Sequence, residues 1–220
     1  MINIAIDGPA GAGKSTIAKE IAKRMNITYL DTGAMYRAVA LKSIYLGVDV
    51  EDVEGVKAFL PSVNLDIRYI DGIQHVYLDD KDVSTEIREH RISKAASDIS
   101  RIPDVRLRLV AMQRELASKY DCVLDGRDIT SYVLPNAKYK FYITASPEVR
   151  AERRRKELAA KGENVDFSVL LADIKQRDYN DSHRDFAPLV RTEDSIYVDT
   201  SDMNVEDVIR FVMKVIEEKK

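Results

Sequence analysis

The chain has 220 residues, 45% hydrophobic and 32% charged, which suits one globular domain, or one core with a modest inserted lobe. With 34 Lys and Arg against 37 Asp and Glu, the formal net charge is -3, so no nucleic-acid partner is expected and any positive patch must be local. No apolar run approaches the roughly 18 residues of a membrane span and the N-terminus lacks a charged leader region, so a cytoplasmic protein without a membrane partner is expected.

The chain opens on INIAID, a short apolar run expected of a strand buried on both faces. GPAGAGKST follows at residues 8 to 16, and Gly8, Gly13, Lys14 and Ser15 match G-x-x-x-x-G-K-[ST]. Glycines let such a loop curl until successive backbone N–H groups converge on phosphate oxygens, and the next helix adds its positive end. Pro9, Ala10, Gly11 and Ala12 complete the predicted ATP-binding loop, and Thr16 follows it on the helix. Lys14 reaches the outer phosphates, and the Ser15 hydroxyl is the candidate Mg²⁺ ligand. The motif alone does not separate kinases from GTPases or motors. The guanine-reading N-K-x-D is absent, which leaves a small-molecule kinase or an ATP-dependent binding protein.

Ile17, Ile21 and Met25 mark one face of the helix after the loop. ITYLD (27 to 31) reads as a second strand, and AMYRAVALKSIYLG as a helix closed by Gly47. From 62 to 85 the pattern turns β-rich around Asp71-Gly72, a hairpin signal. Helical patterns return over about 86 to 100 and 104 to 119, broken by Pro103. CVLD (122 to 125) and KYKFYIT (138 to 144) are further strands, and the single cysteine, Cys122, reads as a buried, inert thiol. Ser146 and Pro147 open a helix as N-cap and first residue. A helix over roughly 166 to 182, the strand SIYVDT and a final helix capped by Asn204 complete an open α/β sheet with no separable domains.

A kinase whose acceptor is itself phosphorylated must bring two anions together, so arginines outside the loop are diagnostic. Arg37 follows the second strand, and Arg127 lies in DGRD at a strand's carboxyl end, where ligands bind in open α/β sheets. Arg177, Asp181 and Arg184 share one helix face, and Arg150, Arg153, Arg154 and Arg155 are dense enough for a lid. Plainer readings stay open: a structural pair of Arg127 with Asp125 or Asp128, a solvated ion-pair face at 177 to 184, and an exposed basic helix at 150 to 155.

Taken together, IAIDGPAGAGKST, YLDTGAMYR, LDGRD, ITASPEVRAERR and IKQRDYNDSHRDFAPL resemble the bacterial cytidylate kinase family, in order and spacing along nearly the whole chain. The resemblance implies a P-loop NTPase fold, with a parallel sheet flanked by helices. It adds a β-rich monophosphate-binding insert around 62 to 85, ending DVSTEIR, and a helical lid near 146 to 165, all within one kinase domain over 1 to 220. It implies phosphoryl transfer from ATP to CMP or dCMP with Mg²⁺; a monomer is expected. It places Arg37 and Arg127 on the monophosphate with Thr32 nearby, and Ser97, Arg106 and Asp128 on the cytosine. The sugar falls to Arg177 and Asp181, and Arg184 is a further acceptor-site arginine. Lys14, Arg37, Arg127 and the lid residue Arg153 are the implied catalytic set, with Arg150 and Arg154 also on ATP. One departure stands out. After GRD the family usually runs Ile-Gly-Thr-Val, whereas Ile129 is followed here by Thr130, Ser131 and Tyr132, so altered loop geometry beside Asp128 is expected. The rivals are a kinase for UMP or another small metabolite, and an ATP-binding regulatory protein without turnover.

Overall fold

Helices alternate with parallel strands in the computed structural model, which describes residues 1–160 and 162–219. β1 (Asn3–Asp7) pairs in parallel with β6 (Cys122–Gly126) on one side and β7 (Tyr139–Thr144) on the other, and β8 (Ile196–Asp199) extends the sheet beyond β7. With β2 (Thr28–Asp31) the sheet order is β2-β6-β1-β7-β8. β1 thus sits in the middle, and its carboxyl end is the place where an open α/β sheet offers a ligand crevice.

Two compact units share the chain, one made of Met1–Tyr29 and Tyr120–Lys220, the other of Leu30–Lys119. In the first, α1 (Lys14–Met25) and α8 (Val205–Glu218) cover one sheet face. Ile17 and Ile21 from α1, and Val208, Val212 and Ile216 from α8, meet Ile4, Ile6, Phe141 and Ile143 of the strands. The three-to-four spacing of these residues on each helix is what aims them at a single surface. Each such side chain contributes roughly 1.5–3 kcal/mol by leaving water. A second, smaller core joins α6 (Pro147–Ala159) to α7 (Phe167–His183) through Ala151, Leu158, Leu170 and Ile174. This hairpin spans the expected lid; residue 161 of that span lies outside the described residues.

The second unit holds α2 (Thr32–Leu46), which buries Met35, Ala38, Val39 and Leu41. It also holds the antiparallel strands β3 (Leu65–Ile70) and β4 (Ile73–Leu78), followed by α4 (His90–Ile99) and α5 (Pro103–Lys119). Asp71 and Gly72 both take positive φ (51° and 75°), the backbone a tight right-twisting hairpin requires. Three features go beyond the sequence reading: a short helix α3 (Val53–Phe59), a two-residue strand β5 (Lys81–Asp82), and Pro103 as the opening residue of α5. Proline fits that first helical position because its missing N–H has no helical partner there.

Cys122 is 2% exposed, and burial, aided by Asp121, pushes its thiol up to about 12. The native protein should therefore resist a disulfide reagent at neutral pH, whereas the urea-unfolded chain should react at once. Prompt stoichiometric labelling of the folded protein would contradict this placement.

Candidate active site

The loop after β1 is shaped by close approach. Gly8 has φ 148°, and a Cβ there would lie 1.8 Å from the carbonyl oxygen of Ile143, so no other residue fits. Gly13, at φ 86°, turns the chain into α1. Lys14 is buried, and its Nζ donates to the Pro9 carbonyl at 2.8 Å. Burial, reinforced by the Arg127 cation, lowers its ammonium to about 7 despite the pull of Asp125, Asp7 and Asp181. Two cations therefore lie within each other's field, held there by burial and by the carboxylates around them, at the mouth of a glycine-rich loop suited to phosphate.

Ser15 Oγ donates to Asp125 Oδ2 at 2.8 Å, and Tyr29 donates to Asp125 Oδ1 at 2.8 Å. Asp125, near the end of β6, thus sets a second hard oxygen beside that of Ser15, one to which the sequence reading gave no metal role. Among the described residues no cluster of three or more His, Cys, Asp and Glu side chains forms a cation cage. Two protein oxygens suit Mg²⁺, which keeps most of its shell for water and substrate phosphates. A cleft of about 390 Å³ opens beside Pro9, lined in part by Tyr142, Thr144, Arg150, Asp178 and Tyr197.

Arg127 corrects one sequence-based alternative. Its Nε donates to Asp181 Oδ2 at 2.8 Å, rather than to Asp125 or Asp128, and Nη1 donates to its neighbour Gly126. Asp181 lies on α7 and feels Arg127, Arg177 and Arg184 together. Burial would raise its carboxyl, but these three cations outweigh it and hold the group below 3.8. Arg177, Asp181 and Arg184 are thus not a solvated face. Arg184 lies 3.6 Å from Asp128 Oδ1 and donates from Nε to the Ala187 carbonyl. Five residues placed on the acceptor by resemblance, Arg127, Asp128, Arg177, Asp181 and Arg184, therefore form one electrostatic cluster.

The basic hairpin also differs from an exposed basic helix. Arg150 is 2% exposed and grips Asp178 with both terminal nitrogens, at 3.0 and 2.6 Å. It also donates to the carbonyls of Ala145 and of Ala10 in the phosphate loop. Arg153 donates to the Thr200 carbonyl and hydroxyl. Arg154 pairs with Glu157, and Arg155 with Glu152. Asp178 is a partner that sequence inspection missed, because nothing in the local pattern distinguishes it from a surface carboxylate.

Within the second unit, Asp31 Oδ1 accepts the Ala34 amide, capping α2 beside the buried Thr32. Its Oδ2 meets Arg37 at 3.0 Å and Arg88 at 2.7 Å. Burial alone would raise this carboxyl, but Arg37 and then Arg88 hold it below its usual range. Arg88 is a cation that the sequence reading left inside DVSTEIR without a role. Arg106 is 1% exposed, donates to the Ser100 carbonyl and lies over the Tyr36 ring, while Ser97 sits one turn from the end of α4.

A sequence-family model described as cytidylate kinase matches residues 4–218. The chain belongs to the cytidylate kinase family. Cytidylate kinase of Caldicellulosiruptor bescii is 48% identical over 97% of this chain and 94% of its own length. That of Pelotomaculum thermopropionicum is 50% identical over 96% and 94%. A crystal structure of an uncharacterized protein from Eubacterium ventriosum superposes with a TM-score of 0.55 at 16% identity, covering 99% of each chain, and so shares the fold. Thr130, Ser131 and Tyr132 lie in one wide turn, Ile129–Val133. Thr130 is wholly buried there, against Asp7.

Proposed function

We propose that this cytidylate kinase family member transfers the γ-phosphoryl group of ATP to CMP and dCMP, in line and without a covalent enzyme intermediate. The observation that carries the reading is the approach of two cations, Lys14 beside the glycine-rich loop and Arg127 at the end of β6, close enough to feel one another. A donor triphosphate alone needs the first cation; an anionic acceptor explains the second.

In this reading the amides of the 8–13 loop and Lys14 hold the donor's phosphates, with Arg153 and Arg154 as candidates to follow from the hairpin. Ser15 and Asp125 would hold Mg²⁺, which supplies neutralisation of phosphate charge. Arg37 and Arg127 grip the acceptor phosphate, and Arg88 is a candidate third. The acceptor is already an anion at neutral pH, so positioning and charge stabilisation suffice without a strong base. Asp128 accepts from the exocyclic amine of cytosine, while Arg106 and Ser97 serve its other edge. Arg177 and Asp181 take the sugar.

The test is ADP release with ATP and each nucleoside monophosphate in turn. CMP and dCMP should be turned over and UMP disfavoured, because O4 of uracil presents an acceptor to Asp128. Asp128→Ala should raise KM for CMP at least ~10-fold, the scale of one lost charged hydrogen bond, and leave KM for ATP nearly unchanged. Equal effects on both substrates would remove Asp128 from base reading. ADP release with UMP alone would replace the substrate.

A further inference from the structure

Ile129 and Thr130, in the turn after Asp128, are bonded to the end of the strand that leads into the phosphate loop. Asp7 ends β1, is fully buried and directly precedes Gly8 of the phosphate loop. Its Oδ1 accepts the Ile129 amide at 2.8 Å, and its Oδ2 accepts both the Thr130 amide at 2.7 Å and the Thr130 hydroxyl at 2.6 Å. A glycine at position 130 would offer the amide but not the hydroxyl. On the far side of the turn, the Asp128 carbonyl accepts the amides of Tyr132 and Val133, both at 2.9 Å, and Ile129 accepts from Leu134 at 2.8 Å. The Tyr132 ring then packs edge-on against Phe186, with centroids 5.0 Å apart. The turn is therefore fastened at both ends, by a buried carboxylate and by an aromatic contact.

Asp128 is the residue from which this turn springs, with φ -142° and ψ 22°. The direction of its side chain follows from the backbone on either side, so whatever pins residues 129 and 130 also aims the carboxylate. The pin is one residue from the phosphate loop. We infer that Thr130 is a positioning residue for the acceptor: its hydroxyl, bonded to Asp7, fixes the Asp128 carboxylate relative to the phosphate loop and so ties base reading to donor placement. This rests on the assignment of Asp128 to the cytosine amine. A hydrogen bond to a buried carboxylate is among the stronger contacts a hydroxyl can make, and losing it leaves the charge short of a donor.

The experiment compares Thr130→Val, which keeps the shape and removes the donor, with Thr130→Ser, which keeps the donor. Thr130→Val should raise KM for CMP about tenfold while kcat and KM for ATP stay within about twofold. Thr130→Ser should restore KM for CMP. Amide exchange over 129–134 should quicken in the valine variant alone. Thr130→Gly, which also removes the hydroxyl, serves if the valine variant does not fold. Equal changes in the two KM values, or no rescue by serine, would reduce Thr130 to a packing role and overturn the inference. If the parent protein does not phosphorylate CMP, the substrate reading fails by itself. In that case, unchanged exchange at 129–134 in the valine or glycine variant overturns the clamp, and quickened exchange reversed by serine upholds it.

Discussion

Lys14→Ala should lower kcat roughly 10²–10³-fold, the scale seen when one preorganised charged donor is removed from a transition state. The ammonium is buried among Asp7, Asp125, Asp181 and Arg127, and burial with Arg127 holds it near 7. An incoming triphosphate would supply the missing negative charge and keep the lysine protonated where charge spreads over the transferring group. Among the described residues Nζ donates to the Pro9 carbonyl alone, so truncation removes one hydrogen bond from the fold and leaves the apolar core of β1 and α1 in place. Steady-state turnover, with thermal melting as the control for folding, checks the expectation. Near-parental turnover in a folded variant would take Lys14 out of the reaction.

Asp181→Ala should cost the fold about 3–5 kcal/mol at neutral pH, as expected when one partner of a buried ion pair is removed, and should abolish most turnover with it. The carboxylate bonds Arg127 at 2.8 Å, with side chains 8% and 19% exposed, so the guanidinium left behind could not simply be hydrated. The pH dependence has a definite sign. Burial works against the carboxylate, Arg127 and its two companions outweigh it, and the native group titrates below its ordinary 3.8. Its contribution is complete above that value and is lost as pH falls through the lower native one. Urea midpoints of parent and variant should lie far apart at pH 7 and draw together in acid. A constant gap across pH would show that the loss comes from packing.

The parts of the molecule legible in the sequence are those whose chemistry is local. Gly8 and Gly13 declare the phosphate loop, Ser146 caps α6 through the Val149 amide, Asn204 caps α8 through Asp207, and Gly47 ends α2 at φ 66°. Each needs only neighbours within a few residues. The candidate site is less legible because its partners are distant in the chain. Arg127 reaches across 54 positions to Asp181, and Arg150 across 28 to Asp178. Helical spacing predicted that Arg177, Asp181 and Arg184 share one helix face; Arg184 instead leaves α7 in extended backbone, and spacing cannot say whether Arg177 and Asp181 meet water or a buried arginine. Asp125 illustrates the same limit. Inside an apolar run it reads as a strand terminus, and only the fold brings Ser15 and Tyr29 to its two oxygens.

Arg150 is a mechanical joint. Its guanidinium rivets one carbonyl of the glycine-rich strap to both rods of the basic hairpin, and it does so with charge where grease would serve elsewhere. The two rods have their own small oily seam, separate from the larger interior. Removing that one guanidinium would therefore part the strap from both rods in a single stroke.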